Sequence, residues 1–507
     1  MPTSSSYKFL FNSHHPQIAD PIPAPQMLLT LLLCPMAVLG ANLLLVSMDQ
    51  GRSHATSFAP FMHRLQRDNH SVSLYFNTYK PEIDFGMKNE LIDLSGVATS
   101  PFEAGSAFFA VVWRLEYSFV HQSRSCKTVL EKRRSEFARL AGGNWDLVFA
   151  DSLFAVCGYG IARLNRRPHV MIHSSDVEAA QSTAKAFHRN YGILPPNFMS
   201  YAYAWQDPSF FLDRLKSATD WFGSVVVTNV LSDQFMRHAL SPVVRDFSFP
   251  EFLRTSTFTF TDMPELLYPP APRTNDYFSY GSYCKQGGAL LKEFEDFVSD
   301  PKSRGTIVVA FGTLVPWYAA PADKLMAFVE TINNLTEYRV VWSYNGNTVK
   351  VREHVMLSKW IPQNELLLHN KTVLFVSHGG LKSVKEAACS GTPSLFMPMF
   401  AEQMRNAWLA KNKGYAEILN KFELSHDYLE KNIRKVLNNP EYQDRGRILK
   451  EEILDRPLSS LDHATFIMNR SQLSYYTEFG RFADSTLYTF VHSFTIVRVG
   501  YSDVLDK

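Results

Sequence analysis

Cysteine is scarce in this chain and scattered: Cys34, Cys126, Cys157, Cys284 and Cys389 are the only five in 507 residues, and no two stand at a metal-ligand spacing. A cysteine-bound metal is thereby excluded, while one or two disulfides stay open. Excess charge is missing as well. Lys and Arg total 51 against 49 Asp and Glu, a net charge of +2, and no basic stripe carries interleaved aromatics, so there is no electrostatic footprint for nucleic acid. Unbroken apolar runs of spanning length are also lacking. Met27–Met48 is uncharged over 22 residues but is interrupted by Pro35, Gly40 and Asn42, and Ser485–Val497 offers only 13 residues, His492 among them, before Arg498. The first run divides more simply into an apolar signal core at Leu28–Leu39, cleavage near Gly40, and a first strand at Leu43–Ser47. The 26 residues ahead of Met27 are polar and proline-containing, as expected of an upstream extension with initiation at Met27.

What is present suits two ordinary domains. At 46% hydrophobic and 20% charged residues the chain is not disordered, and its length allows two substantial cores. The run Pro269-Pro270-Ala271-Pro272, then a Gly-, Lys- and Asp-rich stretch up to Gly305, marks a surface linker. The boundary is expected near Pro301: residues 1–40 as extension and signal, 41–300 and 301–440 as two α/β domains, and 441–507 as helices, broken by Pro457, and tail. Asn69, Asn334, Asn370 and Asn469 open N-x-S/T acceptor sequons, relevant if the chain enters the secretory pathway.

The densest chemistry lies in Trp360–Ala407. Thr372–Ser377 is a short β-branched, apolar run that ends at His378-Gly379-Gly380, and LKSVKEAAC beyond it has helical spacing. A strand–turn–helix of this kind suits a pyrophosphate, because glycine lets the backbone approach and the helix start offers free N–H groups to an anion. Pro393–Met397 and Gln403–Lys411 repeat the strand–helix pattern. Ligands of open α/β sheets sit outside the carboxyl ends of the strands, so His378, Ser383, Glu386, Glu402 and Gln403 are expected to share one crevice. Gly305–Phe311, ending in Gly312-Thr313, and Arg339–Trp342 read as neighbouring strands.

At these residues the segment resembles the donor signature of the UDP-glycosyltransferases, animal glucuronosyltransferase type: W-x-P-Q, then H-x-G-x-x-S-x-x-E, then P-x-x-x-(D/E)-Q-x-x-N-A. The resemblance implies a GT-B fold, two Rossmann-like α/β domains facing across a cleft. It implies that Trp360 stacks on uracil, Gln363 bonds near the uridine, and His378, Gly380 and Ser383 hold the diphosphate together with Gly312 and Thr313. Glu386 would take the ribose, and Glu402 and Gln403 the sugar hydroxyls. Many members carry Asp where this chain has Glu402, which leaves the sugar open between glucuronic acid and glucose. A glucuronate carboxylate calls for a cation, and Arg52 and Arg405 are the two at hand. Trp342 is as well explained by a core position. The family's terminal helices cross back to the first domain, and its usual membrane anchor is not matched by Ser485–Val497.

Transfer needs a base. Leu43–Ser47 reads as a buried strand, followed by MDQGRSH and a helix whose Phe58, Phe61, Met62 and Leu65 share a face, so His54 falls at the strand-to-helix junction. A helix start disfavours imidazolium and is expected to keep the ring neutral. His54 matches the family's catalytic histidine, and Asp151, at the end of Trp145–Ala150, its orienting aspartate. Asp146, at the other end of that strand, and Asp176 are weaker alternatives. The implied reaction is inverting attack of an acceptor hydroxyl on the anomeric carbon of a UDP-sugar, without metal or further cofactor, with the helix start and His378 neutralising the leaving diphosphate. The aromatic-rich first half suggests a small lipophilic acceptor. Two other classes compete: a non-catalytic UDP-sugar-binding relative, and a nicotinamide oxidoreductase, for which Gly158 and Gly160 lack the third glycine of the fingerprint. Expected localisation is the lumen or membrane of the endoplasmic reticulum, and the sequence is compatible with membrane association and with a homo-oligomer.

Overall fold

Continuous runs of Leu, Val and Ile build strands buried on both faces, the mark of parallel sheets covered by helices. In the computed structural model, which describes residues 40–49, 52–78, 84–95, 115–187, 194, 207–269, 274–312 and 315–476, two such sheets form. The strands of the first are β1 (Asn42–Val46), β2 (Ser71–Tyr75), then, beyond the two-residue β3 (Asn77–Thr78), β4 (Lys88–Asn89). After β5 (Ile92–Asp93), which pairs with β3, come β6 (Leu147–Asp151), β7 (His169–His173), β8 (Thr259–Thr261) and β9 (Tyr277–Ser279). They lie in the order β4-β2-β1-β6-β7-β8-β9, all parallel. The second sheet comprises β10 (Thr306–Ala310), β11 (Arg339–Ser343), β12 (Val355–Ser358), β13 (Thr372–Ser377), β14 (Ser394–Phe396) and β15 (Ala416–Ile418), ordered β12-β11-β10-β13-β14-β15 and again parallel.

Alternation along β1 explains how the first sheet is covered. Leu44 and Val46 join a core with the helices on one face, and Leu43 and Leu45 join Phe58, Phe61, Met62 and Leu65 of the helix Arg52–Arg67 on the other. The last described helix, Ser460–Tyr476, returns to that second face, where Ala464, Ile467 and Met468 enter the same core and Asp462 binds Arg64 at 2.6 Å. Trp342 lies in the core of the second sheet, 0% exposed and 4.8 Å from Trp317. Among the described residues two disulfides form, Cys126–Cys157 within the first half and Cys284–Cys389 between the linker and the second half. Among the described residues no helix is long and apolar enough to cross a membrane. Leu28–Leu39, Thr313 and Ser485–Val497 lie outside the described residues.

Strand order reverses once in each sheet, between β1 and β6 and between β10 and β13. Loops diverge at such a switch point and leave a crevice at the carboxyl ends. His54 follows β1 and Asp151 ends β6; Gly312 follows β10 and His378 follows β13.

Candidate active site

At the first switch point the wholly buried Asp151 gathers four hydrogen bonds. Its Oδ2 accepts from His54 Nδ1 at 2.8 Å, Ser47 Oγ at 3.2 Å and the Met48 N–H at 3.2 Å; its Oδ1 accepts from the Leu153 N–H at 3.2 Å. With Nδ1–H directed at the carboxylate, His54 Nε2 is the ring nitrogen left to take a proton. The helix begins at Arg52, so His54 lies inside its first turn. Burial disfavours the imidazolium, but Asp151, by charge and hydrogen bond, and Glu402 outweigh it and raise the pKa above the ordinary 6.5. The expected neutralising effect of the helix start is therefore overridden. Asp146 is at the opposite edge, accepting from the Asn42 N–H at 2.8 Å, and Asp176 is buried beside Tyr277, whose hydroxyl donates to it at 3.2 Å.

At the second switch point the His378 ring lies between two glycines. A Cβ on Gly380 would meet its Nε2 at 2.6 Å, and one on Gly312, whose φ is +67°, would meet its Cε1 at 3.1 Å. Both positions must stay without a side chain for the ring to occupy this place. Burial pushes the His378 pKa down to about 4 against an opposing backbone hydrogen bond with Ala310, so the ring is neutral at pH 7. It can offer a hydrogen bond to a phosphate but not the positive charge expected to neutralise a leaving diphosphate. Gly380 caps the helix Leu381–Ser390 with no side-chain bond, leaving first-turn N–H groups for an anion.

Beside this cradle Gln363 Nε2 donates to Ser383 Oγ at 3.4 Å and to a Glu386 carboxylate oxygen at 2.5 Å, which brings three predicted donor residues together. Trp360 stands apart, 68% exposed, with the Arg52 guanidinium 5.7 Å over its ring. Glu402 starts the helix Gln403–Asn412, within electrostatic reach of His54. Gln403 is buried and its side-chain oxygen already accepts from the Met399 and Phe400 N–H groups at 2.9 and 3.1 Å, so only its amide nitrogen remains for a sugar. Among the described residues no cluster of three or more His, Cys, Asp or Glu could hold a metal ion.

Two buried ion pairs that the sequence reading missed join the halves. Arg405, 2% exposed, donates to Glu178 at 2.7 Å, and Lys385 donates to Asp262 at 2.6 Å while its ammonium stands 3.7 Å from the Tyr283 ring centroid. Arg405 is thus committed and is not the free cation proposed for a sugar carboxylate. Lys385 left one trace in the sequence, a charge at an apolar-face position between Leu381 and Ala388. Through these contacts the carboxyl ends of the two sheets meet, with His54–Asp151 on one side and Gly312, His378 and Gly380 on the other.

Two Rossmann-like sheets meeting at their carboxyl ends define a GT-B glycosyltransferase fold. The calicheamicin glycosyltransferase CalG4 superposes with a TM-score of 0.57 at 16% identity, over 86% of this chain and 99% of that one. The glycosyltransferase VinC, solved in complex with DTDP, does so with a TM-score of 0.55 at 16% identity, over 85% and 99%. Residues 41–470 match the family described as UDP-glucoronosyl and UDP-glucosyl transferase, and the chain belongs to it. Human UDP-glucuronosyltransferase 1A1 is 26% identical over 466 residues, 87% of this chain and 84% of the relative. Mouse UDP-glucuronosyltransferase 1-2 is 28% identical over 367 residues, 71% of this chain, and the match spans just under two thirds (66%) of that relative's length.

Proposed function

We propose that the chain is an inverting UDP-glycosyltransferase that moves glucuronic acid or glucose from a UDP-sugar to a hydroxyl of a small lipophilic acceptor. The observation that carries this reading is the 2.8 Å contact between His54 and the buried Asp151, set against a glycine-lined anion cradle. Residues 41–300 bind the acceptor and supply the base; residues 301–440 bind the donor. His54 Nε2 takes the acceptor proton, the acceptor oxygen bonds to the anomeric carbon from the face opposite the diphosphate, and the bond to the diphosphate breaks with its electron pair, giving a β-glycoside and UDP. Asp151 holds the tautomer and stabilises the imidazolium as it forms. Gly312, Thr313, His378, Gly380 and Ser383 hold the diphosphate; Trp360, Gln363 and Glu386 take the uridine; Glu402 and Gln403 take the sugar. With Arg405 paired to Glu178, Arg52 is the cation left for a glucuronate carboxylate.

Two disulfides support folding in an oxidising compartment, in keeping with a signal sequence and the endoplasmic reticulum lumen. Asn69 and Asn370 are exposed and suit glycosylation, whereas the Asn469 side chain is engaged by His70 at 2.8 Å and Asp68 at 2.9 Å. A detoxifying role, conjugating lipophilic compounds, follows from the acceptor class. The test is to incubate the protein with equal UDP-glucuronate and UDP-glucose plus a small phenol and to weigh the product. A conjugate names the sugar, and His54→Ala is expected to abolish it while UDP still binds. Loss of UDP binding in the unaltered protein would overturn the donor site, and undiminished transfer by His54→Ala would overturn the base.

A further inference from the structure

A lysine ammonium is costly to take out of water, so one that folding buries must return that cost through what it holds. Lys421, 5% exposed, is such a group. It stands just beyond β15, and its Nζ donates at 2.5 Å to the carbonyl of Met399, on the turn that leads from β14 to the helix Gln403–Asn412. Burial pushes its pKa down to about 8, which still leaves it charged at pH 7, and a charged donor makes the stronger hydrogen bond. The turn is gripped from its other side as well. Gln403 Oε1 accepts from the Met399 and Phe400 N–H groups at 2.9 and 3.1 Å, and both side chains are buried in the core of the second sheet. Lys421 is itself fixed in place: the Leu419 N–H donates to the Phe396 carbonyl at 2.7 Å, and the Phe422 N–H to Asn420 Oδ1 at 3.0 Å.

What needs this grip comes next in the chain. Ala401 has a φ of +55°, in the left-handed region where a Cβ is crowded and which a residue other than glycine keeps only when its surroundings impose it. Glu402 follows directly. Its side chain makes no capping bond to the helix it starts, so the turn, and not the helix end, aims its carboxylate, which lies within electrostatic reach of His54. Relaxation of Ala401 to a negative φ would re-aim Glu402. We propose, resting on the reading of Glu402 and Gln403 as the sugar contacts, that Lys421 is a positioning residue for the transferred sugar: by holding the Met399 carbonyl against the strain at Ala401 it keeps Glu402 and the Gln403 amide directed at the sugar hydroxyls. Lys421 acts through the turn and not on the donor. UDP ends before the sugar and is indifferent to the turn, so the effect belongs to the affinity of a UDP-sugar relative to UDP.

The test uses the full chain, Lys421→Met, which keeps an apolar stem and removes the donor, Ala401→Gly, which removes the strain, and the two substitutions together. Amide exchange across residues 399–402, read without ligand, is expected to quicken roughly tenfold in Lys421→Met, as for the loss of one hydrogen bond to a charged group. Calorimetric titration with UDP, UDP-glucose and UDP-glucuronate is expected to show UDP affinity holding in all four proteins. Affinity for a UDP-sugar relative to UDP is expected to fall roughly tenfold on Lys421→Met when residue 401 is alanine and by no more than about threefold when Ala401→Gly is present, because glycine keeps the turn without the clamp. Unchanged exchange in Lys421→Met overturns the clamp and needs no donor to do so. Faster exchange with an unaltered ratio of UDP-sugar to UDP affinity overturns the sugar role, and so does an equal loss with and without Ala401→Gly, which would make Lys421 a merely structural residue. Failure of the unaltered protein to bind UDP would fall on the donor reading and take the sugar role with it.

Discussion

His54 holds its proton to a pH above 6.5 because Asp151 and Glu402 together outweigh burial. The base we propose acts only when neutral, so kcat/KM is expected to fall as the pH drops through that raised value. Asp151→Asn removes the opposing charge and leaves the burial, which moves the acid limb to lower pH, and the misdirected tautomer lowers kcat by roughly 10²–10⁴. A pH–rate series on both proteins checks the pair of effects; an unmoved limb would assign it to another group. His378 responds to sterics instead of charge. Gly380→Ala places a carbon 2.6 Å from its Nε2, so the ring must leave its place between the glycines, and the KM for the UDP-sugar is expected to rise by tenfold or more while acceptor KM holds.

Elements with strong local patterns were legible in the sequence. The apolar run Thr372–Ser377 is β13 residue for residue, and the glycines after it and the helix Leu381–Ser390 follow from turn and helix chemistry. The helix carrying His54 was harder: its start at Arg52 sits within a polar stretch with no apolar period to mark it. Least legible were the contacts between elements. Glu178 and Arg405 are 227 residues apart, and neither neighbourhood signals the other, so Arg405 read as a free cation in a polar stretch when it is the buried end of an ion pair. The ion pair makes its own prediction. Glu178→Ala strands a buried guanidinium and should cost roughly 3–5 kcal/mol in denaturant unfolding, whereas Glu178→Leu/Arg405→Met should recover most of the loss.

Over the whole molecule, one covalent tie lies within the first half and another runs from the linker to the second. Cys284–Cys389 closes a separation of 105 residues and Cys126–Cys157 one of 31. By chain entropy the first is worth roughly 5 kcal/mol and the second roughly 4 kcal/mol, so Cys284→Ser/Cys389→Ser should lower the denaturation midpoint more than its counterpart. Only the former should also raise the KM for the UDP-sugar, since Cys389 shares its helix with Ser383 and Glu386.

The helix Ser460–Tyr476 places Ala464, Ile467 and Met468 in the core beneath β1. Synthesis proceeds from the amino end, so the sheet that carries His54 leaves the ribosome with that side covered only in part, by the helix Arg52–Arg67, and must wait, chaperoned or exposed, for the last described helix to emerge. A premature stop between Leu454 and Ser460 would spare every residue of both switch points and still unseat the first of them. The half that is made first is the half that is finished last.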